Sequence, residues 1–103
     1  VESGRLTLTI ESVVVRDNKL AAADVDGRTV VLSVSAGSYF DFNQVGTEIW
    51  KMLAEPCRVS EIFQRLSRQN RVDPETVGRD VTPFLQTLVD ERLIRTLAPD
   101  EAR

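Results

Sequence analysis

Up to about Asn43 the apolar and polar residues alternate with a period of two, and beyond it they recur every three or four positions. The first half therefore predicts strands and the second half helices. Leu6, Leu8 and Ile10, with Thr7 and Thr9 between them, lead into Val13-Val14-Val15, which predicts one irregular strand or two short ones over residues 6–15. Residues 20–25 and 28–34 flank Asp26-Gly27, a pair suited to a type I′ turn because both of its central residues need positive φ. A hairpin follows. After Ser35-Ala36-Gly37, the run Ser38-Tyr39-Phe40-Asp41-Phe42 predicts a short strand, with Ser38, Phe40 and Phe42 on one face and Tyr39 and Asp41 on the other. It is short enough to be an edge.

Asn43 is placed to cap a helix reaching about residue 53, in which Val45, Ile49, Trp50 and Leu53 fall at spacings of three and four, and Pro56 follows its end. A second helix is expected from Ser60 to about Asn70, with Glu61 at its positive end and Ile62, Phe63 and Leu66 as its apolar stripe. The third opens at Asp73 with Pro74 in its first turn and runs through Val77, Val81, Phe84, Leu85, Leu88 and Val89 to about residue 91. Pro83 lies inside it and predicts a bend or local irregularity. Residues 92–97 read as a brief extension packed on the helices, and residues 98–103 as a frayed tail. Strands followed by helices predict an α+β fold, a three-stranded antiparallel sheet and then a three-helix bundle in a winged-helix-like arrangement, as a single domain over residues 1–103 with its core at about 6–97.

Charge and composition remove several functions. Sixteen acidic and thirteen basic side chains give a net charge of −3, the wrong sign for affinity built on phosphates, so nucleic acid is a disfavoured partner. No apolar run is long enough to span a membrane and no secretory signal pattern opens the chain, so a soluble cytoplasmic protein is expected. With Cys57 as its single cysteine and no histidine, the chain has no disulfide framework, zinc site or Cys-His pair of its own. No cofactor and no catalytic residue are expected. Cys57 reads as a small, partly buried apolar side chain, Trp50 as a core anchor, and Arg65, Arg68 and Arg71 as a cationic helix end matched to its dipole.

The remaining candidate is the edge strand. Its unpaired N–H and C=O groups can accept an extended peptide, and the groove toward the third helix can bury alternate side chains of that peptide. Ser38, Tyr39, Phe40, Asp41 and Phe42 supply the strand, and Val77, Asp80, Val81, Phe84 and Leu85 the opposite wall. Apolar stripes at helical spacing also face ordinary cores, so the same side chains fit a core role. Asp80, with Arg79 and Gln86 as neighbouring options, either receives a cationic or polar group of the peptide or lies on a solvated helix face. Tyr39 is either an interface aromatic or a cover for neighbouring apolar surface.

The ordered set Val31-Leu32-Ser33-Val34, Gly37-Ser38-Tyr39-Phe40-Asp41-Phe42-Asn43-Gln44-Val45-Gly46-Thr47-Glu48-Ile49-Trp50, Cys57-Arg58-Val59-Ser60-Glu61-Ile62, Asp80-Val81, Phe84-Leu85, Leu88 and Leu93-Ile94 resembles the PqqD-like proteins over about residues 12–97. These are recognition elements for precursors of ribosomally made, post-translationally modified peptides (RiPPs). The resemblance implies a bacterial, non-catalytic protein that binds a leader peptide as a further strand beside residues 38–42. Gly-x-x-Ile-Trp and Pro-Cys look most like the stand-alone recognition proteins of lasso peptide clusters. That resemblance implies two partners, a cysteine-protease-type leader peptidase and then a cyclase. The rival readings are a PqqD-type peptide chaperone for a radical enzyme, a winged-helix DNA-binding regulator, and a module that dimerises through the same edge.

Overall fold

The computed structural model describes residues 8–17, 19–33 and 37–97. Its elements run β1 (Val13–Arg16), β2 (Ala21–Val25), β3 (Arg28–Ser33), β4 (Ser38–Asp41), α1 (Gln44–Met52), β5 (Cys57–Arg58), α2 (Val59–Asn70), α3 (Pro74–Asp90) and β6 (Ile94–Leu97). The strands form two three-stranded antiparallel sheets, ordered β2-β3-β4 and β5-β1-β6.

The β2–β3 hairpin turns on Asp26 (φ 54°) and Gly27 (φ 83°), both in the left-handed region as the Asp-Gly signal requires. Asp24 Oδ1 accepts the Gly27 N–H and tightens the turn (3.1 Å). On β3, Thr29, Val31 and Ser33 are buried while Leu32 is exposed, so the sheet is half-buried, with one face on the core. β2 is exposed at all five residues, because its alanines offer little to bury.

The three helices begin and end where their caps dictate. Asn43 Oδ1 accepts the Gly46 N–H (2.8 Å) to start α1. α2 starts one residue earlier than the expected Ser60, because Glu61 accepts the Arg58 backbone N–H (3.1 Å) and fixes the first turn there. Arg71 ends α2 in the left-handed conformation (φ 56°). Asp73 caps α3 through the Glu75 N–H (2.9 Å). α3 runs unbroken through Pro83, which is exposed, so the backbone group deprived of its partner faces the wet side of the helix.

Two expectations change. Only Val13–Arg16 of the first predicted strand is a strand, preceded by a turn in which Ser12 donates its N–H to Thr9 O (3.0 Å); residues 6 and 7 lie outside the described residues. The segment after α3 is not an appendage of the helices. Its residues Ile94–Leu97 form β6, which pairs with β1 from Val13↔Leu97 to Arg16↔Ile94. Leu93 and Ile94 are buried in the core cluster, so this return strand is part of the core and of the β1 sheet. The expected tail, residues 98–103, lies outside the described residues.

One apolar cluster joins the layers. Val14, Val31, Phe42, Ile49, Trp50, Leu53, Ile62, Leu66, Val81, Leu85, Leu88, Leu93 and Ile94 are all buried in it. Each large side chain so buried contributes about 1.5–3 kcal/mol. Among the described residues, no helix is long and apolar enough to cross a membrane.

Candidate functional site

The hydrogen-bond phase of β4 decides what its open edge offers. Val30↔Asp41, Val31↔Phe40, Leu32↔Tyr39 and Ser33↔Ser38 are opposite one another, and Phe42 continues the register by donating its N–H to Thr29 O (2.9 Å). Antiparallel ladders alternate hydrogen-bonded with non-hydrogen-bonded pairs. With Phe42–Thr29 bonded, Phe40 and Ser38 also direct their backbone groups toward β3, and those of Tyr39 and Asp41 point away from it. Among the described residues no strand pairs with β4 on that side. Tyr39 and Asp41 thus carry the backbone groups that the ladder leaves open on this edge.

Side chains follow the same alternation. Phe42 is buried (5% exposed), Phe40 is half-buried against the core cluster, and Ser38 is small and exposed, all on the inner face. Tyr39 (70% exposed) and Asp41 lie on the outer face, where Asp41 pairs with Arg28 (3.4 Å). Phe84 of α3 meets Phe42 edge-on, with centroids 5.5 Å apart and planes at 82°. Phe42 also packs against Trp50 at 5.6 Å, and the Arg16 guanidinium covers the Trp50 ring at 5.4 Å while donating to the Trp50 carbonyl (3.2 Å). A row of rings thus ties β4 to α1 and α3.

Gly46 makes that approach possible. A Cβ there would lie 3.1 Å from Phe42 Cβ and 3.2 Å from Phe84 Cζ, so a side chain at this helix position would push the rings apart. Thr47 locks the same corner: its hydroxyl accepts the Thr29 N–H (2.8 Å), which the end of the β3–β4 ladder leaves without a strand partner, and both threonines are buried. Sequence reading missed Gly46 and Thr47 as positioning residues. The signals were a glycine and a β-branched residue in the first turns of the helix, with Gly46 also the first residue of the Gly-x-x-Ile-Trp run.

On α3 the predicted residues divide. Val77, Val81 and Leu85 are buried in the core, so they form the base of the wall and expose almost nothing. Phe84 is half-buried and Asp80 is exposed, and these two carry what α3 presents at the surface on this side. Trp50 holds its expected anchoring place, 3% exposed. Gln86 donates to Asp90 (3.0 Å). Cys57 is partly buried beside Glu61, and both burial and that carboxylate raise its thiol above the ordinary value. Among the described residues no group of side chains is arranged to hold a metal ion.

The opposite edge of this sheet, β2, differs in character. Ala22, Ala23 and Asp24 border a cavity of about 220 Å³ shared with Arg16, Asp17, Lys51 and Trp50, a mainly charged setting without the paired rings that flank β4. A smaller cavity of about 130 Å³, lined by Leu8, Ile10, Val59, Phe63, Thr82 and Leu85, opens on another side of α3.

Residues 28–94 match the family model described as "Coenzyme PQQ synthesis protein D (PqqD)". The fold is similar to that of TbiB1, solved in complex with the TbiA(beta) leader peptide, at 32% identity and a TM-score of 0.72, covering 82% of this chain and 98% of that one. It is also similar to the solution structure of the PqqD truncation of Methylobacterium extorquens PqqCD, which represents a functional, stand-alone RiPP recognition element. That likeness has 20% identity, a TM-score of 0.71, and coverage of 85% of this chain and 94% of that one. No curated protein matches the chain. The family match runs from the start of β3 into β6 and takes in β4 and α3, and with it the chain belongs to the PqqD family.

Proposed function

We propose that this protein captures the leader region of a ribosomally made precursor by adding it as a fourth strand on β4. It does no chemistry itself and presents the precursor to a separate cysteine-protease-type leader peptidase, with a cyclase acting later, as in lasso peptide biosynthesis. The observation that carries the reading is the open edge at Tyr39 and Asp41 beside half-buried Phe40 and Phe84. TbiB1, of similar fold and 32% identical, is a leader-peptide complex, which supports the same ligand class. Backbone pairing supplies affinity, and alternate side chains entering between β4 and α3 supply choice. Residues 1–103 act as one unit in this reading, in the cytoplasm, without a cofactor.

Presentation needs no catalytic group in this chain. Holding the leader raises the local concentration of the attached core peptide at a partner's active site, typically to about the millimolar range for short flexible connections. A fluorescence-anisotropy titration of the full chain with the leader of a short precursor sought among the neighbouring genes tests the proposal. Saturable binding that Phe40→Asp removes is expected; no binding, or equal binding by the variant, contradicts it.

A further inference from the structure

The open edge and the outer face of β4 are governed by the same two residues. Tyr39 and Asp41 turn their backbone groups to the edge, and their side chains stand on the outer face. Residues directly opposite in a ladder share a face. A peptide residue that pairs with Tyr39 or Asp41 in an antiparallel ladder, exchanging both backbone bonds with it, therefore lays its own side chain on the outer face beside the phenol or the carboxylate. The peptide residue between them, opposite Phe40, faces inward.

That outer face already carries two rows that end at β4. Leu32 (46% exposed) and Tyr39 (70% exposed) are cross-strand partners, with Ala21 opposite Leu32 on β2, which makes an apolar row across all three strands. The second row runs Ala23, Val30 and Asp41, and Asp41 also pairs diagonally with Arg28 on β3, 3.4 Å away, both about half exposed. A fourth strand extends each row by one residue.

We infer that Tyr39 and Asp41 are specificity-determining residues of the capture site, reading two peptide residues spaced i and i+2. An apolar or aromatic side chain belongs across from Tyr39, continuing the Leu32–Tyr39 row. A lysine or arginine belongs across from Asp41, so that charges alternate along Arg28, Asp41 and the peptide. An acidic residue there stands directly opposite a carboxylate, which is unfavourable in a ladder. The inference rests on the strand-capture reading and adds its phase and its outer-face chemistry.

The test uses the full chain and synthetic versions of the same leader, read by anisotropy, with the Trp50 fluorescence melt confirming that each variant is folded. Singly N-methylated peptides mark the backbone positions bonded to the edge. Binding is expected to fall about ten-fold or more at two positions spaced i and i+2, and to change less than about two-fold at the residue between them. Glutamate at one of the two sensitive positions is expected to weaken binding by about two- to five-fold. Asp41→Lys should restore that loss, and raised salt should erase the difference. Tyr39→Ser should weaken the peptide at the other sensitive position. The inference is overturned if Asp41→Lys leaves the ranking of charge-changed peptides unaltered, or if its coupling falls on a position that tolerates N-methylation. Failure of the unmodified leader to bind overturns the capture reading itself, and the inference with it.

Discussion

On the inner side of the open edge Phe40 and Phe84 are the ring side chains that keep surface, while Phe42 and Val81 next to them are 5% and 6% exposed. A charge therefore does different things at these positions. Phe40→Asp should cost the peptide at least about 1.4 kcal/mol, a ten-fold loss in anisotropy titrations, and leave the circular dichroism of the chain folded. Val81→Asp places an unpaired carboxylate in the core and should destabilise the protein by about 3 kcal/mol or more, visible as a much lower denaturation midpoint. Asp73 has a pH-dependent role. The Thr76 hydroxyl first, and then the Glu75 N–H, hold its carboxyl below the ordinary value. The stability it contributes is thus present above its unfolded pKa and is lost as pH falls through the lower folded one. Asp73→Asn should flatten the acid limb of a stability-versus-pH curve, while the wild-type midpoint declines below about pH 4.

At the scale of elements, the corner where α1 meets the end of β4 holds the candidate site in shape. Gly46→Ala adds a Cβ 3.1 Å from Phe42 Cβ, an atom fixed close to the backbone, and overpacking of this kind costs about 1–3 kcal/mol. Because the same Cβ presses on Phe84 at 3.2 Å, thermal melts should show the loss of stability and leader affinity should fall with it. Thr47→Val leaves the buried Thr29 N–H without its acceptor and should cost about 1–3 kcal/mol by urea denaturation. Much of this architecture is legible in the chain. Asp26-Gly27, Asn43, Asp73 and the helical stripes act through neighbours a few residues away, so their signals are local. The second sheet is not legible, because β6 pairs with β1 some eighty residues earlier, and no short-range pattern distinguishes a strand that returns from an extension lying on the helices. Of the candidate site, the strand and the helix are legible in the sequence pattern, but the division of the α3 residues between core and surface is not. Val77, Val81 and Leu85 follow the same periodicity as Phe84, and only packing shows that Phe84 alone of the four keeps surface.

At the scale of the whole molecule, the described residues form two three-stranded sheets and three helices that share one apolar cluster, and one sheet is left with an edge flanked by rings. A net charge of −3 and an edge built from backbone groups point to a peptide rather than to phosphates. Binding that follows strand addition should weaken only modestly between low and moderate salt, whereas phosphate binding falls by orders of magnitude over the same range. The most direct measurement is a titration of the full chain with the leader of that neighbouring precursor, followed by amide hydrogen exchange of the complex. Saturable binding should protect the Tyr39 and Asp41 amides, with the Phe40 amide, already bonded toward β3, little changed. A complex that leaves Tyr39 and Asp41 exchanging as in the free protein, or that protects β2 instead, would contradict capture on β4.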